Sequence, residues 1–228
     1  MLAPQITTLK SAIEIAGKVS KGNSKMPGST FAMDSFSCNV GSRLAEVKGS
    51  TCNGCYARRA QKRWPSVNMG WSKNQIKTEQ TLAIDPMLWE AAVLFQIRRM
   101  GFAEHRWLDS GDVPNVQFLA SVCEVARQTP DIAHWLPTRE VKILLDFVKE
   151  YGAHYIPDNL TIRVSSPMVD DKPLQAFANM AGVTTSTVHR KQTKPTGHVC
   201  PARTQNNECG SCRACWSGTV ANVSYPIH

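Results

Sequence analysis

No run of about 18 consecutive apolar residues occurs in the chain, so no membrane-spanning helix is expected. The opening stretch "MLAPQITTLKSAIEIAGKVSKGNSK" lacks a basic start followed by an apolar core. That argues against a secretory signal and for a cytoplasmic protein. Internal repeats and low-complexity tracts are also missing, which excludes solenoids and fibrous arrays. Charged residues make up 19% of the chain against 42% hydrophobic, the balance of a globular protein able to bury a core. A disulfide scaffold is not expected either, because a reducing cytosol keeps cysteines as thiols.

What is present is a basic surplus and an unusual set of cysteines. Lysine and arginine number 26 against 18 acidic residues, a net charge of +8. The surplus fits a nucleic-acid or nucleotide partner, since cations gain by displacing counterions from phosphates. A solvated basic surface is the plainer alternative. The densest cluster is "YARRAQKRW", in which Arg58, Arg59, Lys62 and Arg63 share one helical face, with Lys73 and Lys77 further along.

Apolar spacing predicts a helix over 7–19, a strand over 29–38 ending at Cys38, and a helix over 87–101 closed by Gly101. An alternation follows: strand 105–112, helix 115–129, strand 131–140, helix 140–152, strand 160–168, helix 173–182, strand 183–190, and a closing strand over 219–228. Strands alternating with helices of this length mean βαβ units and a parallel sheet. With about six strands, the expected fold is an α/β partial (βα)6-type barrel or an open sheet, carrying a cysteine-rich C-terminal metal-binding segment. The chain reads as one domain, with a lead-in over 1–28, a βα core over 29–190 and the cysteine-rich segment over 191–228.

Polar residues gather just after each strand: Asp109, Ser110 and Asp112; Thr138 and Arg139; Ser165, Ser166 and Asp170; His189 and Arg190. Carboxyl ends of parallel strands form the active face of such folds. Asp109, Asp112 and Arg139 are therefore candidate catalytic groups. Turn and capping roles are the alternative for any one of them.

Seven of the eight cysteines fall into two groups. The first is Cys38-x13-Cys52-x2-Cys55, and the second is Cys200-x8-Cys209-x2-Cys212-x2-Cys215. A C-x2-C turn aims two sulfurs at one ion, and four thiolates complete a zinc site or a [4Fe–4S] cluster. Three cysteines at close spacing suit the corners of a cubane, so iron–sulfur leads zinc for the second group. Three thiolates in the first group would leave one iron of a [4Fe–4S] cluster open to a small molecule. Zinc completed by a histidine is the alternative there. Cys123, inside "FLASVCEVAR", reads as a buried apolar residue.

The segments "NSKMPGSTFAMDSFSC", "TCNGCYARR", "RWLDSGD", "HWLPTRE" and "CGSCRACW" resemble the phage-encoded family called gene product eighty-eight. The resemblance implies a bacteriophage or prophage origin and hence a host cytosol. "CNGCYAR" also resembles the end of the cluster loop of radical S-adenosylmethionine (SAM) enzymes. That second resemblance implies that an open iron chelates SAM, that Gly111 and Asp112 of "DSGD" hold its amine, and that Arg163, Ser165 and Ser166 of "IRVSSP" hold its ribose and carboxylate. The family's first cysteine gap is three residues rather than thirteen, and Glu stands where Asp112 stands here. An iron–sulfur enzyme of radical SAM type, modifying a nucleotide or nucleic acid and served by an electron donor, is the leading expectation. A zinc-containing base transglycosylase-like enzyme and a non-catalytic nucleic-acid-binding module with structural metals are the alternatives.

Overall fold

The computed structural model describes residues 5–22, 25–177 and 179–227. The chain begins with α1 (Leu9–Ala16), capped by Thr8, whose Oγ1 accepts from the Ser11 amide at 3.1 Å. Two short strands follow, β1 (Val19–Ser20) and β2 (Ser29–Phe31). Next come four helices in succession: α2 (Asn39–Ala45), α3 (Tyr56–Arg63), α4 (Pro65–Ile84) and α5 (Pro86–Met100). Proline opens both α4 and α5, where a missing N–H costs nothing. Gly101, in the left-handed region at φ 68°, closes α5 as expected. The alternation then runs β3 (Glu104–Trp107), α6 (Val116–Arg127), β4 (Ala133–Thr138), α7 (Val141–Tyr151), β5 (Leu160–Val169), β6 (Val183–His189), β7 (His198–Val199) and β8 (Asn222–Pro226).

All eight strands join one sheet in the order β1-β2-β3-β4-β5-β6-β8-β7, and every pairing except β1 with β2 is parallel. From β2 to β6 each strand adds beside its predecessor on the same side. Right-handed crossovers then stack the helices on one face and point every carboxyl end to one rim. The fold is thus mixed α/β with a mostly parallel sheet. Three expected elements differ. The strand predicted over 105–112 ends at Trp107, and bends at Asp109–Gly111 carry the chain out of the sheet. The strand predicted over 29–38 stops at Phe31, because the Met33 amide turns to Ser110 O at 2.9 Å and Asp34 bends the next residues by accepting from Phe36 N at 2.8 Å. The helix predicted over 173–182 is a string of tight turns around a 3-10 turn at Gln175–Phe177, with Ala178 outside the described residues.

The core lies between sheet and helices. Phe31, Trp89, Trp107 and Phe118 form its aromatic centre, with Trp89 5.5 Å from Phe118 and 6.0 Å from Phe31. The α4 helix packs differently. Its buried side chains include Asn74, Gln75 and Thr78, and Asn74 serves the backbone of Lys18 and Ala32 at 2.7–3.0 Å. Among the described residues no helix is long and apolar enough to cross a membrane.

Two histidines are fully buried on the helix side of the sheet. His134 Nδ1 accepts from Trp107 Nε1 at 3.1 Å, which leaves Nε2–H to donate to Thr129 Oγ1 at 2.8 Å. The ring must be neutral for this, and burial pushes its pKa down to about 3. The unfolded chain takes up that proton near pH 6.5, so between these values acidification favours unfolding by about 1.4 kcal/mol per pH unit. Relative to His134→Gln, the native chain is expected to lose about 2 kcal/mol of its stability advantage between pH 7 and pH 5. Urea melts of both proteins across that range check this, and a constant gap contradicts it.

Candidate functional site

The three cysteines of the first group arrive on different elements. Cys38 is the N-cap of α2 and Cys55 the N-cap of α3, and neither cysteine side chain caps its own helix. The start of α2 is answered from outside by the Glu140 carboxylate, so the positive end left without a side-chain acceptor beside the sulfurs is that of α3. The turn Cys52–Cys55 is closed by Cys55 N donating to Cys52 O at 3.0 Å, with Gly54 at φ 79°. It is tied to the carboxyl end of β5, where Thr51 N donates to Pro167 O at 2.8 Å and Val169 N to Gly49 O at 3.0 Å. The loop after β2 is fixed by buried Gln61 on α3. Its Oε1 accepts from Ser35 N and Oγ at 3.0 and 2.7 Å, while its Nε2 donates to Asp34 at 2.9 Å.

Burial raises the Cys38 thiol, reinforced by Asp112, by the two neighbouring thiols and by Glu140. Burial also raises Cys52, opposed by the charge of Arg139. A Cβ on Gly41, in the first turns of α2, would lie 2.9 Å from Cys38 Cβ, 3.6 Å from Cys38 Sγ and 3.7 Å from Cys52 Sγ. Glycine here keeps a small hollow open against two thiols. Among the described residues, however, no three His, Cys, Asp or Glu side chains close on one point as a metal's ligands do.

Asp112, Arg139 and Glu140 stand beside these thiols. Asp112 accepts from Thr138 Oγ1 at 2.6 Å, Val113 N at 2.8 Å and Arg139 N at 3.0 Å, while burial raises its carboxyl against these donors. The Arg139 side chain donates to Thr51 Oγ1 at 2.9 Å, and Glu140 accepts from Val40 N at 2.8 Å. Rim residues from β2, β3 and β4 thus converge on the first cysteine group. Asp109 lies on the sheet face turned away from the helices, its carbonyl accepting from the Tyr56 hydroxyl and its Oδ1 buried without a partner.

The second group lies across that other face. Cys200 N donates to Ser224 O at 2.9 Å, and Cys209 N to Lys25 O at 2.8 Å. Cys200 and Cys209 are both raised by burial and lie within electrostatic reach of Cys212. Cys212 Sγ is 3.4 Å from His198 Nε2. Cys215 is pushed up to about 11 by burial and touches the Tyr225 hydroxyl at 3.1 Å. Trp216 anchors the segment, donating to His105 O at 2.9 Å and packing on Trp135 at 5.2 Å.

Four of the expected cofactor residues make other contacts. Arg163 is fully buried, and all five of its N–H groups donate to main-chain carbonyls of Thr185, Ala214, Cys215, Ser217 and Val220 at 2.6–3.1 Å. No donor remains for a bound molecule, because the C-terminal segment uses the guanidinium as its clasp. Gly111, at φ 83°, lets the end of β3 approach Met33, whose Cβ would lie 2.8 Å from an added Cβ. Ser166 Oγ donates to Lys172 O at 2.9 Å, whereas Ser165 pairs with Ser186 at 2.9 Å on the face away from the helices. At the far rim His189 bonds Ser224, and Arg190 pairs with Asp170, away from the thiols of the first group.

Arg58, Arg59, Lys62 and Arg63 do lie on a helix, α3, that starts at Cys55. Among the described residues none of them pairs with a carboxylate. Arg58 and Lys62 instead lie over Phe36, at 4.8 and 5.8 Å, and Arg63 over Trp64 at 5.1 Å. Sequence reasoning passed over Gly41, Gln61, Glu140, Tyr56 and His198. Only Gly41, three residues after a cysteine, carries a visible signal.

If Arg163 is a clasp, Arg163→Met leaves several buried carbonyls unpaired and is expected to cost on the order of 3 kcal/mol or more. Denaturant melts and limited proteolysis within 198–217 check this. Unchanged stability with lost SAM affinity would return Arg163 to a cofactor role.

A family model described as Gene product 88 matches residues 12–218. No curated protein and no solved structure matches the chain.

Proposed function

The chain belongs to the gene product 88 family, and on that premise we propose that its three-thiol rim is the active site of an iron–sulfur enzyme of radical SAM type, acting on a nucleotide or nucleic acid. One observation carries the reading: Cys38, Cys52 and Cys55 meet Asp112 and Arg139 at the carboxyl rim, although four separate stretches of chain supply them. The unreversed strand order supports treating the sheet as a partial barrel with this rim at its mouth.

The residues present fit a cluster in chemistry. Three thiols, a glycine hollow and the uncapped start of α3 suit an anionic metal–thiolate group. When bound, such a cluster supplies single electrons and an iron open to the amino and carboxylate groups of SAM. Asp112 has three of about four acceptor positions engaged and room for one further donor, such as an ammonium. Arg139 holds the Thr51 end of the cysteine turn and offsets thiolate charge at Cys52. The unpaired cations of α3 suit phosphates of the substrate.

A zinc-dependent base-exchange enzyme is the second reading. It is favoured by His198 beside Cys212, as in a mixed Cys/His zinc site, and by the unpartnered oxygen of Asp109, a ready base or nucleophile.

Anaerobically purified protein is expected to be brown, with iron and sulfide in comparable amounts, and to bind SAM. Asp112→Asn is expected to keep the iron and sulfide while weakening SAM at least tenfold. Calorimetric titration of both proteins checks this. A colourless zinc protein, or equal SAM affinity in the two, counts against the first reading.

A further inference from the structure

Thr30 on β2, Arg106 on β3 and Trp135 on β4 are lateral neighbours, paired across three parallel strands. All three lie on the face away from the helices, and each carries a buried polar atom with no partner: Thr30 Oγ1, Arg106 Nε and Trp135 Nε1. Asp109 Oδ1 and Ser110 Oγ, just beyond β3, are buried and unpartnered too. Of the six such atoms among the described residues, only His105 Nε2 lies elsewhere, on the helix side. An unpaired buried polar group costs about 1–3 kcal/mol and is rare in native proteins. A row of three at the ~4.8 Å strand spacing is therefore a feature with a purpose.

The surroundings give the row its chemistry. The guanidinium of Arg106 lies 4.5 Å over the Trp135 ring, and its Nη1 reaches Met26 Sδ at 3.5 Å. Tyr56, Asp109, Tyr225 and Cys215 are within electrostatic reach of it, so it sits between the two cysteine groups. Trp216 closes over Trp135 from the C-terminal segment. Two of the unpaired atoms in the row can only donate and the third is a hydroxyl, beside a fixed positive charge. Such a set asks for an anionic oxygen. The acceptor at Asp109 asks for a donor next to it.

We infer that this row is a binding site for the oxyanion, carboxylate or phosphate, of a small molecule whose neighbouring hydroxyl or amino group reaches Asp109. The site stands on the sheet residues alone and does not require the thiols to hold a metal. It differs from the exposed cations of α3 in that its polar atoms are buried, so it selects a compact group and not a polymer backbone.

Inorganic phosphate, acetate, adenosine monophosphate and glycine serve as probes, titrated calorimetrically against the full chain. At least one is expected to bind saturably. Thr30→Val removes one unpaired atom with little change of shape, and Trp135→Phe removes another while also shrinking a buried ring. Each is expected to weaken that probe about fivefold or more, and Thr30→Val is expected to leave the free protein as stable as before, or more so. Tighter binding of phosphate probes would identify a phosphate as the natural group, and tighter binding of the carboxylates a carboxylate. The inference is overturned if none of the four binds, or if both variants bind as the native chain does, which would mean water fills the row or the probe sits on the basic surface.

Discussion

A parallel sheet that grows from β2 to β6 without reversing direction leaves no choice about where its polar residues collect. Every connection after one of these strands emerges at the same rim, and the helices α4 to α7 pack side by side on one face. Cys38, Asp112 and Arg139 meet because each follows a different strand by a few residues, and Cys52 and Cys55 join them because their loop is hydrogen-bonded to the end of β5. Four helices between β2 and β3 are the cost of that arrangement. They bring the C-x2-C turn back over the rim and hold it with Gln61 and Asp34.

The opposite face of the sheet is governed by two arginines with contrasting fates. Arg163 is saturated, each of its donors meeting a carbonyl, and its charge is compensated by a ring of backbone dipoles. Arg106, one strand beyond Trp135, is half-buried, and its Nε is shielded from water yet left without an acceptor. Saturation fits a structural part, while an unmet buried donor beside others of its kind fits a ligand. The cysteine-rich segment explains both conditions. It supplies Arg163 with acceptors and, through Trp216, roofs the Arg106 row.

The α/β alternation was legible in the sequence because α6 and α7 carry strong apolar periods and the strands around them, β4 to β6, are rich in β-branched and aromatic residues. The region from 39 to 84 was not legible. The inner face of α4 is amide and hydroxyl, Asn74, Gln75 and Thr78, so it has no apolar stripe to detect. The α2 and α3 helices are short and begin at cysteines in place of ordinary caps. Arg163 was misread because a polar residue near a strand end looks the same whether its partners are a ligand or a segment fifty residues away. The Thr30–Arg106–Trp135 row could not be seen at all, since it exists only through register across three strands.

The account rests on sulfur reaching metal at the rim. X-ray absorption at the iron and zinc edges of anaerobically isolated protein measures this most directly. A first shell of sulfur near ~2.3 Å, reduced in amplitude when Cys38, Cys52 and Cys55 are changed to alanine, is the predicted result. Spectra with no metal–sulfur shell, together with seven freely titrating thiols in the two groups, would contradict it.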